Sequence, residues 1–269
     1  MEKQNNCFND ITIIVNSCYA FSDMWNNVSI LFDKYWANHP QLFILTDKDN
    51  QTFKQNKIVI DKDMSDRLLL SLDKIDSEYI FLTFDDYYLK RPVDQQRISS
   101  LISEMKEKNI DYCRIFNKVK IRGRKDHKLK YRYMPLKTTY EINFYPSIWK
   151  KEAFRKVLKC GEEIWKLEAR ITRRAREQNL TCICVNNKGL FDFVDVVRKG
   201  KYLRGAYRYL KKNNLYISNR KKRTITETVK LQTQIFVSEH TPKKIKNFLK
   251  RKLNKKGKAF YSDYENTDD

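Results

Sequence analysis

The fold class is decided by the stretch Tyr79-Ile80-Phe81-Leu82-Thr83-Phe84-Asp85-Asp86-Tyr87-Tyr88-Leu89. Its apolar and β-branched run predicts a strand that is buried on both faces, as strands of parallel sheets are. The adjacent carboxylates of Asp85 and Asp86 follow at the carboxyl end of this strand. In open α/β sheets, ligands bind in the crevice outside these ends, where two acids can hold a divalent cation and through it a diphosphate. Acidic residues that merely end the strand are the alternative interpretation.

The remainder of residues 1–197 alternates between strand and helix patterns. Strands are predicted at 11–15, 42–45, 58–60 and 112–116, and helices at 22–35, 65–74 and 94–108. Ser65 is a suitable N-cap for the second helix. This alternation is typical of a Rossmann-like parallel sheet. No GxGxxG or P-loop sequence follows a predicted strand, so neither dinucleotide nor P-loop chemistry is indicated.

A second segment with candidate site residues begins at the aromatic-rich residues 140–149. These lead into a predicted helix that ends near residue 159. Gly161 breaks this helix, and a second one runs to about residue 178, with Asn179 as its C-cap. Cys182 and Cys184 then alternate with Ile183, as strand residues do.

Glu168 lies three residues after Trp165, on roughly the same face of the second helix. Desolvation against an aromatic wall raises the pKa of a carboxylate, which suits a general base. The alternative is a surface glutamate that pairs with Arg170 or Lys166. Glu163 is the second candidate for the base.

The net charge of +22 is concentrated in one segment. Residues 1–197 carry a net charge of +7, residues 198–258 one of +19, and residues 259–269 one of −4. The basic segment favours a polyanion, either nucleic acid or an anionic membrane surface. The hydrophobic fraction of 41% and the 35 aromatic residues are ample for a core and disfavour global disorder.

Within the basic segment, Thr241-Pro242 can start a helix that places apolar residues on one face. These residues are Ile245, Phe248, Leu249 and Leu253, and lysines and arginines surround them. Such a helix can lie on an anionic bilayer, where each cation near the surface contributes about 1 kcal/mol. It can also dock on the protein's own core. Features that read or stack nucleic-acid bases are not obvious here.

The location expected from the sequence is cytoplasmic. No stretch approaches the roughly 20 apolar residues of a membrane span, and the polar start lacks the apolar region of a signal peptide. The six cysteines lack the spacing of a metal site, which favours reduced thiols.

Taken in order, four features resemble bacterial nucleotide-sugar glycosyltransferases of the GT-A fold, of the type found in capsule, O-antigen and exopolysaccharide gene clusters. The first is Asn16-Ser17-Cys18-Tyr19 with Asp23-Met24-Trp25 and Lys34-Tyr35-Trp36, and the second is Ser65-Asp66-Arg67-Leu68 upstream of the Asp85-Asp86 strand and Pro92-Val93. The third is the segment at 140–149 with Gly161-Glu162-Glu163-Ile164-Trp165-Lys166-Leu167-Glu168. The fourth is Arg198-Lys199-Gly200-Lys201. The resemblance covers about residues 9–205. We therefore expect a GT-A catalytic domain at 1–205, a basic and largely helical extension at 206–258, and a disordered acidic tail at 259–269.

The resemblance implies a site for a nucleotide-sugar donor, with a UDP-sugar favoured. Ser17, Cys18, Ser65 and Arg67 would lie near the base and ribose. Asp85 and Asp86 would take the place of the family's DxD element and bind ribose and a Mn²⁺ or Mg²⁺ ion, although adjacent acids replace the spaced pair here. Arg198, Lys199 and Lys201 would neutralise the leaving diphosphate.

The resemblance also implies a hexosyltransferase-type reaction in which Glu168, or alternatively Glu163, deprotonates an acceptor hydroxyl and inverts the anomeric configuration. Tyr140, Asn143, Tyr145 and Trp165 would lie on the acceptor side. The acceptor would be a glycan linked to a lipid diphosphate, so a peripheral enzyme on the inner face of the cell membrane is expected. A nucleic-acid-binding protein and a catalytically inactive GT-A scaffold are the alternatives. No Gly-rich loop that would grip a triphosphate follows the first strand, which argues against a nucleotidyltransferase.

Overall fold

The computed structural model of the chain describes residues 8–115, 125–126, 131–185, 190–242 and 260–266, together with residues 245, 248 and 252. The strands are β1 (Ile11–Asn16), β2 (Leu42–Thr46), β3 (Lys57–Val59), β4 (Tyr79–Phe84), β5 (Tyr87–Leu89), β6 (Tyr112–Arg114), β7 (Lys125–Asp126), β8 (Tyr131–Tyr133), β9 (Ser147–Lys150), β10 (Cys182–Val185), β11 (Phe193–Asp195), β12 (Val197–Arg198) and β13 (Lys201–Tyr202). The α-helices are α1 (Trp25–Tyr35), α2 (Met64–Ser71), α3 (Gln95–Glu107), α4 (Lys151–Val157), α5 (Ile164–Glu177), α6 (Arg204–Lys212) and α7 (Ile225–His240). Short 3-10 helices cover Tyr19–Met24, Leu72–Lys74 and Tyr261–Asn266.

Nine of the described strands form one central sheet in the order β3-β2-β1-β4-β9-β6-β10-β8-β7. The pairs β1–β2, β1–β4, β2–β3 and β6–β10 are parallel, whereas β8 and β9 run against their neighbours. The predicted α/β class, a Rossmann-like and mainly parallel central sheet flanked by helices, is confirmed. Helices α6 and α7 follow it in the basic C-terminal extension.

Strand β9 is a central element of the sheet that the sequence pattern does not indicate. It lies between β4 and β6 and places Ile148 opposite both Phe81 and Cys113. Its four residues are too few to show a hydrophobic period of their own, and they lead directly into α4. The sequence therefore predicts only the helix.

The predicted helices form with small differences at their ends. Helix α2 begins at Met64 with Asp63 at the N-cap position in extended backbone, so Ser65 lies inside the first turn and is not the cap. Asn179 has a φ of 53° directly after α5, as a residue that terminates a helix often has.

The parallel strands bring several polar segments to one edge of the sheet. Asn16, at the end of β1, is paired with Leu45 of β2 and with Phe84 of β4. The residues that follow these strands therefore meet at this edge, and they include Ser17, Asp47 and the Asp85-Asp86 pair.

Apolar residues pack on both faces of the sheet. One cluster contains Trp25, Trp36 and Phe81, and the other contains Trp149 and Leu167. Each fully buried large apolar side chain stabilises the fold by about 1.5–3 kcal/mol relative to exposure. Because Leu167 is anchored in the second cluster, α5 is held firmly against the sheet.

The described packing continues past residue 205. Ala206 and Leu210 of α6 are buried in the first cluster. Farther along, Arg220 binds the Asp23 carboxylate through Nε at 2.7 Å and Nη2 at 2.6 Å. The first part of the basic extension is therefore part of the folded body.

The acidic C-terminal segment also differs from the expectation of disorder. Tyr261–Asn266 form a 3-10 helix that packs against α5, and the Tyr264 carbonyl accepts a hydrogen bond of 3.0 Å from Arg170 Nε. Tyr264, between Asp263 and Glu265, adds a contact with α5, because Lys166 Nζ lies 4.8 Å from the centroid of its ring.

The predicted amphipathic helix after Pro242 lies mostly outside the described residues. Of its apolar face, Ile245 and Phe248 are described and are exposed. Among the described helices, none has the length and apolar character needed to cross a membrane.

Candidate active site

A cavity of about 630 Å³ opens at the carboxyl edge of the sheet. Six residues singled out in the sequence line it, namely Asp86, Tyr145, Trp165, Glu168, Arg198 and Lys199. The other lining residues are Phe21, Met64, Phe84, Tyr87, Phe144, Ile164, Asp195 and Val197. Carboxylates, cations and aromatic rings therefore share one space of a size that suits a small ligand.

The cationic wall is built by the segment that follows β11. The amide of Val196 donates a 2.8 Å hydrogen bond to the carbonyl of Asp86, which fixes this segment beside the end of β4. Strands β12 and β13 then form a hairpin whose turn contains Lys199 and Gly200, with φ values of 53° and 71°. Glycine adopts this left-handed conformation freely, and the tight turn keeps Arg198 and Lys199 at the cavity.

Arg198 is held in place by Asp195, with 2.5 Å between Nη2 and Oδ2. Burial alone would lower the pKa of Arg198, but the ion pair with Asp195 outweighs it and raises this pKa. The guanidinium therefore stays charged at the cavity wall.

Glu168 lines the same cavity from α5. The Phe144 amide donates to its Oε1 at 3.3 Å. Burial raises the pKa of Glu168, and the Phe144 hydrogen bond and the charge of Arg114 oppose that increase. A carboxylate with these properties can accept a proton from a hydroxyl group near neutral pH.

The geometry separates Glu168 from its two acidic neighbours. Glu163 is exposed at the N-cap position of α5 and lies outside the cavity lining. Glu162 is buried and binds Arg170 Nη1 at 2.7 Å and Arg174 Nη1 at 2.6 Å. Glu162 therefore anchors α5, and Glu168 is the glutamate of this group that reaches the cavity.

Asp85 lies beneath the cavity and is not part of its lining. Its carboxylate accepts a short hydrogen bond from the Ser17 hydroxyl, which in turn accepts one from Trp25 Nε1 at 2.7 Å. Burial, and then the neighbouring charge of Asp86, raise the pKa of Asp85 well above its usual range. The two adjacent acids thus have different environments, one buried in a hydrogen-bond chain and one at the cavity surface.

Cys18, Arg67 and Asp47 meet at the adjoining part of the sheet edge. Arg67 is buried and donates from Nη2 to the Ser17 carbonyl at 2.9 Å. The Tyr19 amide donates to Asp47 Oδ1 at 2.6 Å. Burial, together with Asp85 and Asp47, raises the pKa of the Cys18 thiol. Ser65 is also fully buried in this region, in the first turn of α2.

The segment at 140–145 forms the side of the cavity next to α5. Tyr140 has a φ of 65° and is 36% exposed. Asn143 is buried and accepts a 3.1 Å hydrogen bond from the Tyr145 amide. Trp165 is 53% exposed at the rim. Tyr145 and Trp165 thus present aromatic rings at the cavity, whereas Tyr140 and Asn143 lie outside its lining.

Lys201 does not join Arg198 and Lys199. Its ammonium binds Glu227 Oε1 at 2.5 Å, and Glu227 also completes the capping box at the start of α7. This contact lowers the pKa of Glu227 to about 2. Lys201 thereby links the β12–β13 hairpin to α7 and lies outside the cavity lining.

Phe21, Asp195 and Arg220 contribute to the site although no local pattern marks them. Arg220 lies over the Phe21 ring, 4.2 Å from its centroid, and also binds Asp23. Phe21 lines the cavity, so a residue about 200 positions away in sequence supports its wall. A contact of that separation cannot be derived from sequence spacing.

No three His, Cys, Asp or Glu side chains in the described ranges lie close enough together to hold a metal ion. Asp86 is exposed to the cavity, whereas Asp85 is engaged with Ser17.

No protein-family model matches the sequence, and no curated protein matches it. Among solved structures, S. aureus TarS 1-349 in complex with UDP-GlcNAc is 15% identical, with a TM-score of 0.48; the match covers 78% of this chain and 62% of that one. CMP:2-keto-3-deoxy-manno-octonic acid synthetase complexed with CTP is 13% identical, with a TM-score of 0.45 and coverage of 77% of this chain and 100% of that one. The matches to TarS span 37% to 62% of the TarS chains. At these identities and TM-scores neither protein assigns a function to this chain, and function is inferred below from the cavity.

Proposed function

We propose that this chain is a glycosyltransferase that transfers a sugar from a nucleoside-diphosphate donor to a hydroxyl group of a glycan acceptor. The observation that carries the proposal is that one cavity is lined by the cations Arg198 and Lys199, the carboxylate of Asp86 and the half-buried Glu168. Such a cavity offers cations that can bind a diphosphate and a carboxylate that can serve as a base.

In the proposed donor complex, Arg198 and Lys199 bind the diphosphate and offset the charge that grows on it as it leaves. Cys18, Arg67 and Asp47 lie where the nucleoside would extend along the sheet edge. A divalent cation would bind beside Asp86 together with the donor, whose diphosphate oxygens would supply further ligands. When bound, such an ion would further offset the charge of the leaving diphosphate.

In the proposed transfer step, Glu168 accepts the proton of the acceptor hydroxyl. The hydroxyl oxygen forms a bond to the anomeric carbon, and the bond from that carbon to the diphosphate oxygen breaks with its electron pair on the diphosphate. In this step Glu168 and the leaving diphosphate would lie on opposite sides of the anomeric carbon, so the proposed transfer inverts the anomeric configuration.

The proposed acceptor is a glycan, bound against the aromatic rings of Tyr145 and Trp165. A link from that glycan to a lipid diphosphate, in bacterial surface polysaccharide synthesis, is supported by the basic C-terminal extension. Helix α7 adds exposed apolar residues to this extension, among them Ile225, Val229 and Phe236, which are 65%, 54% and 61% exposed. Apolar residues next to a basic segment suit the surface of an anionic membrane.

A thermal-shift titration tests donor binding. The protein is measured with UDP, GDP, ADP and CMP, with and without Mn²⁺. A nucleotide at 100 times its Kd stabilises the fold by about 2.7 kcal/mol, which corresponds to a Tm increase of about 5–10 °C for a protein of this size. We expect one nucleoside diphosphate, UDP in the first instance, to give this increase.

Two lysines provide a matched pair of variants. Lys199→Gln removes a cation from the cavity and should weaken the nucleotide-dependent shift. Lys201→Gln removes an equal charge two residues away, at the contact with Glu227, and should leave the shift nearly unchanged. If folded wild-type protein responds to no nucleoside diphosphate but binds RNA or DNA with a steep salt dependence, the proposal fails in favour of polyanion binding.

A further inference from the structure

Arg114 is a charged side chain enclosed in the fold beneath the cavity. It is the last residue of β6, is 1% exposed, and lies in register with Ser147 of β9 and Cys184 of β10. Removing a guanidinium from water is expensive unless polar or charged groups compensate for it. Polar or charged groups near Arg114 must therefore compensate for the cost of burying its charge.

Arg114 contacts both ends of the segment that touches Glu168. Its Nη1 donates to the Glu141 carbonyl at 3.3 Å, and its guanidinium carbon lies 5.5 Å from the centroid of the Tyr145 ring. Between these two contacts, the Phe144 amide donates to Glu168 Oε1. Arg114 thus holds the segment at 141–145 and brings a positive charge near the carboxylate.

We propose that Arg114 is a positioning residue that fixes the segment at 141–145 against Glu168 and keeps this carboxylate ionised at neutral pH. The inference rests on the proposed role of Glu168 as the base. Burial alone would favour the protonated carboxyl, which cannot accept a proton. The Phe144 N–H and the Arg114 charge both favour the carboxylate, in agreement with the direction in which each changes the pKa of Glu168.

Other charged and titratable groups surround Glu168 and set the background against which Arg114 acts. Tyr140 and Tyr145 lie in the loop beside it, and burial, followed by the charge of Glu168, raises the pKa of each. The charged groups that share the cavity are Asp86, Asp195, Arg198 and Lys199. All of these are retained in the variants that follow, so a change in the pH profile can be attributed to position 114.

The test is the pH dependence of kcat/KM for Arg114→Gln, measured as release of nucleoside diphosphate from the donor sugar. The acidic limb of this profile reports the free enzyme's base. Loss of a nearby opposite charge should move the limb to higher pH. Relative to wild type, the variant should then lose at least about tenfold more activity below the midpoint than on the alkaline plateau. Arg114→Lys, which keeps the charge, should restore the wild-type midpoint.

Arg170→Gln is the matched control. Arg170 is equally buried, lies on the helix that carries Glu168, and pairs with Glu162. Its loss should lower activity by the same factor at every pH and leave the midpoint unchanged. If Arg114→Gln does not fold, Arg114→Met, which replaces the charge with an apolar chain, is measured in its place.

The outcomes separate this inference from the proposed function. If the wild type is active and Arg114→Gln has the same midpoint as wild type, the proposed role of Arg114 is overturned and the transferase proposal is unaffected. Absence of transfer and of nucleotide binding in the folded wild type would instead remove the proposed function on which the inference rests.

Discussion

Replacing Glu168 by glutamine should abolish most of the activity without disturbing the fold. The amide keeps the size of the side chain and an oxygen that can accept the hydrogen bond from the Phe144 amide. It cannot accept a proton from a hydroxyl group. The perturbation therefore removes the base and little else.

The size of the loss follows from the role of Glu168. A positioned general base contributes about 10²- to 10⁴-fold, which corresponds to about 2.7–5.4 kcal/mol of transition-state stabilisation. Glu163→Gln is the control, because Glu163 is exposed and outside the cavity lining. A surface change of this kind alters the free energy by about 0.5 kcal/mol or less, so activity should stay within about twofold.

The assay is release of nucleoside diphosphate from the donor sugar, measured as kcat/KM against pH. Because burial raises the pKa of Glu168 above the ordinary glutamate value of 4.5, wild-type activity should fall as the pH drops through that raised pKa. Glu168→Gln should show low activity with no acidic limb. Loss of activity in Glu163→Gln with full activity in Glu168→Gln would refute the assignment of the base.

Three further predictions concern the buried acids and the extension. Asp85→Asn should raise the Tm at pH 8. Because the pKa of Asp85 is raised in the folded state, ionisation of this carboxyl destabilises the wild-type fold as the pH rises, so the difference in Tm between variant and wild type should shrink toward acidic pH. An unchanged Tm at pH 8 would contradict this. Glu162→Ala leaves Arg170 and Arg174 without their shared carboxylate and should lower the free energy of unfolding in urea by about 3–5 kcal/mol. Glu163→Ala should lower it by about 0.5 kcal/mol or less. Equal losses in the two variants would show that the buried ion pairs do not anchor α5. Truncation after residue 240 should reduce sedimentation with anionic vesicles at low salt and leave sedimentation with neutral vesicles unchanged, and equal sedimentation of both forms would show that residues 241–269 do not bind the vesicles.

The parts of the fold that the sequence predicts are those with a strong local signal. The apolar run of β4 can only be a buried strand, and the periodicity of α5, bounded by Gly161 and Asn179, defines a helix. The position of Asp86 at a sheet edge follows from the first of these. The placement of Glu168 on a helix next to aromatic residues follows from the second.

The parts that the sequence does not predict depend on contacts between distant residues. Strand β9 is defined by pairing with β4 and β6, which are far from it in the chain. The different environments of Asp85 and Asp86 depend on Ser17, which is 68 residues from Asp85. Lys201 has the same local pattern as Lys199, and only the fold shows that it binds Glu227.

A structure of the protein with the nucleoside diphosphate that stabilises it most tests the central claim most directly. The account predicts that the diphosphate lies against Arg198 and Lys199, next to Asp86, and that its terminal phosphate, where the sugar is attached, faces Glu168. A nucleotide bound away from this cavity, or bound with its terminal phosphate directed away from Glu168, would contradict it.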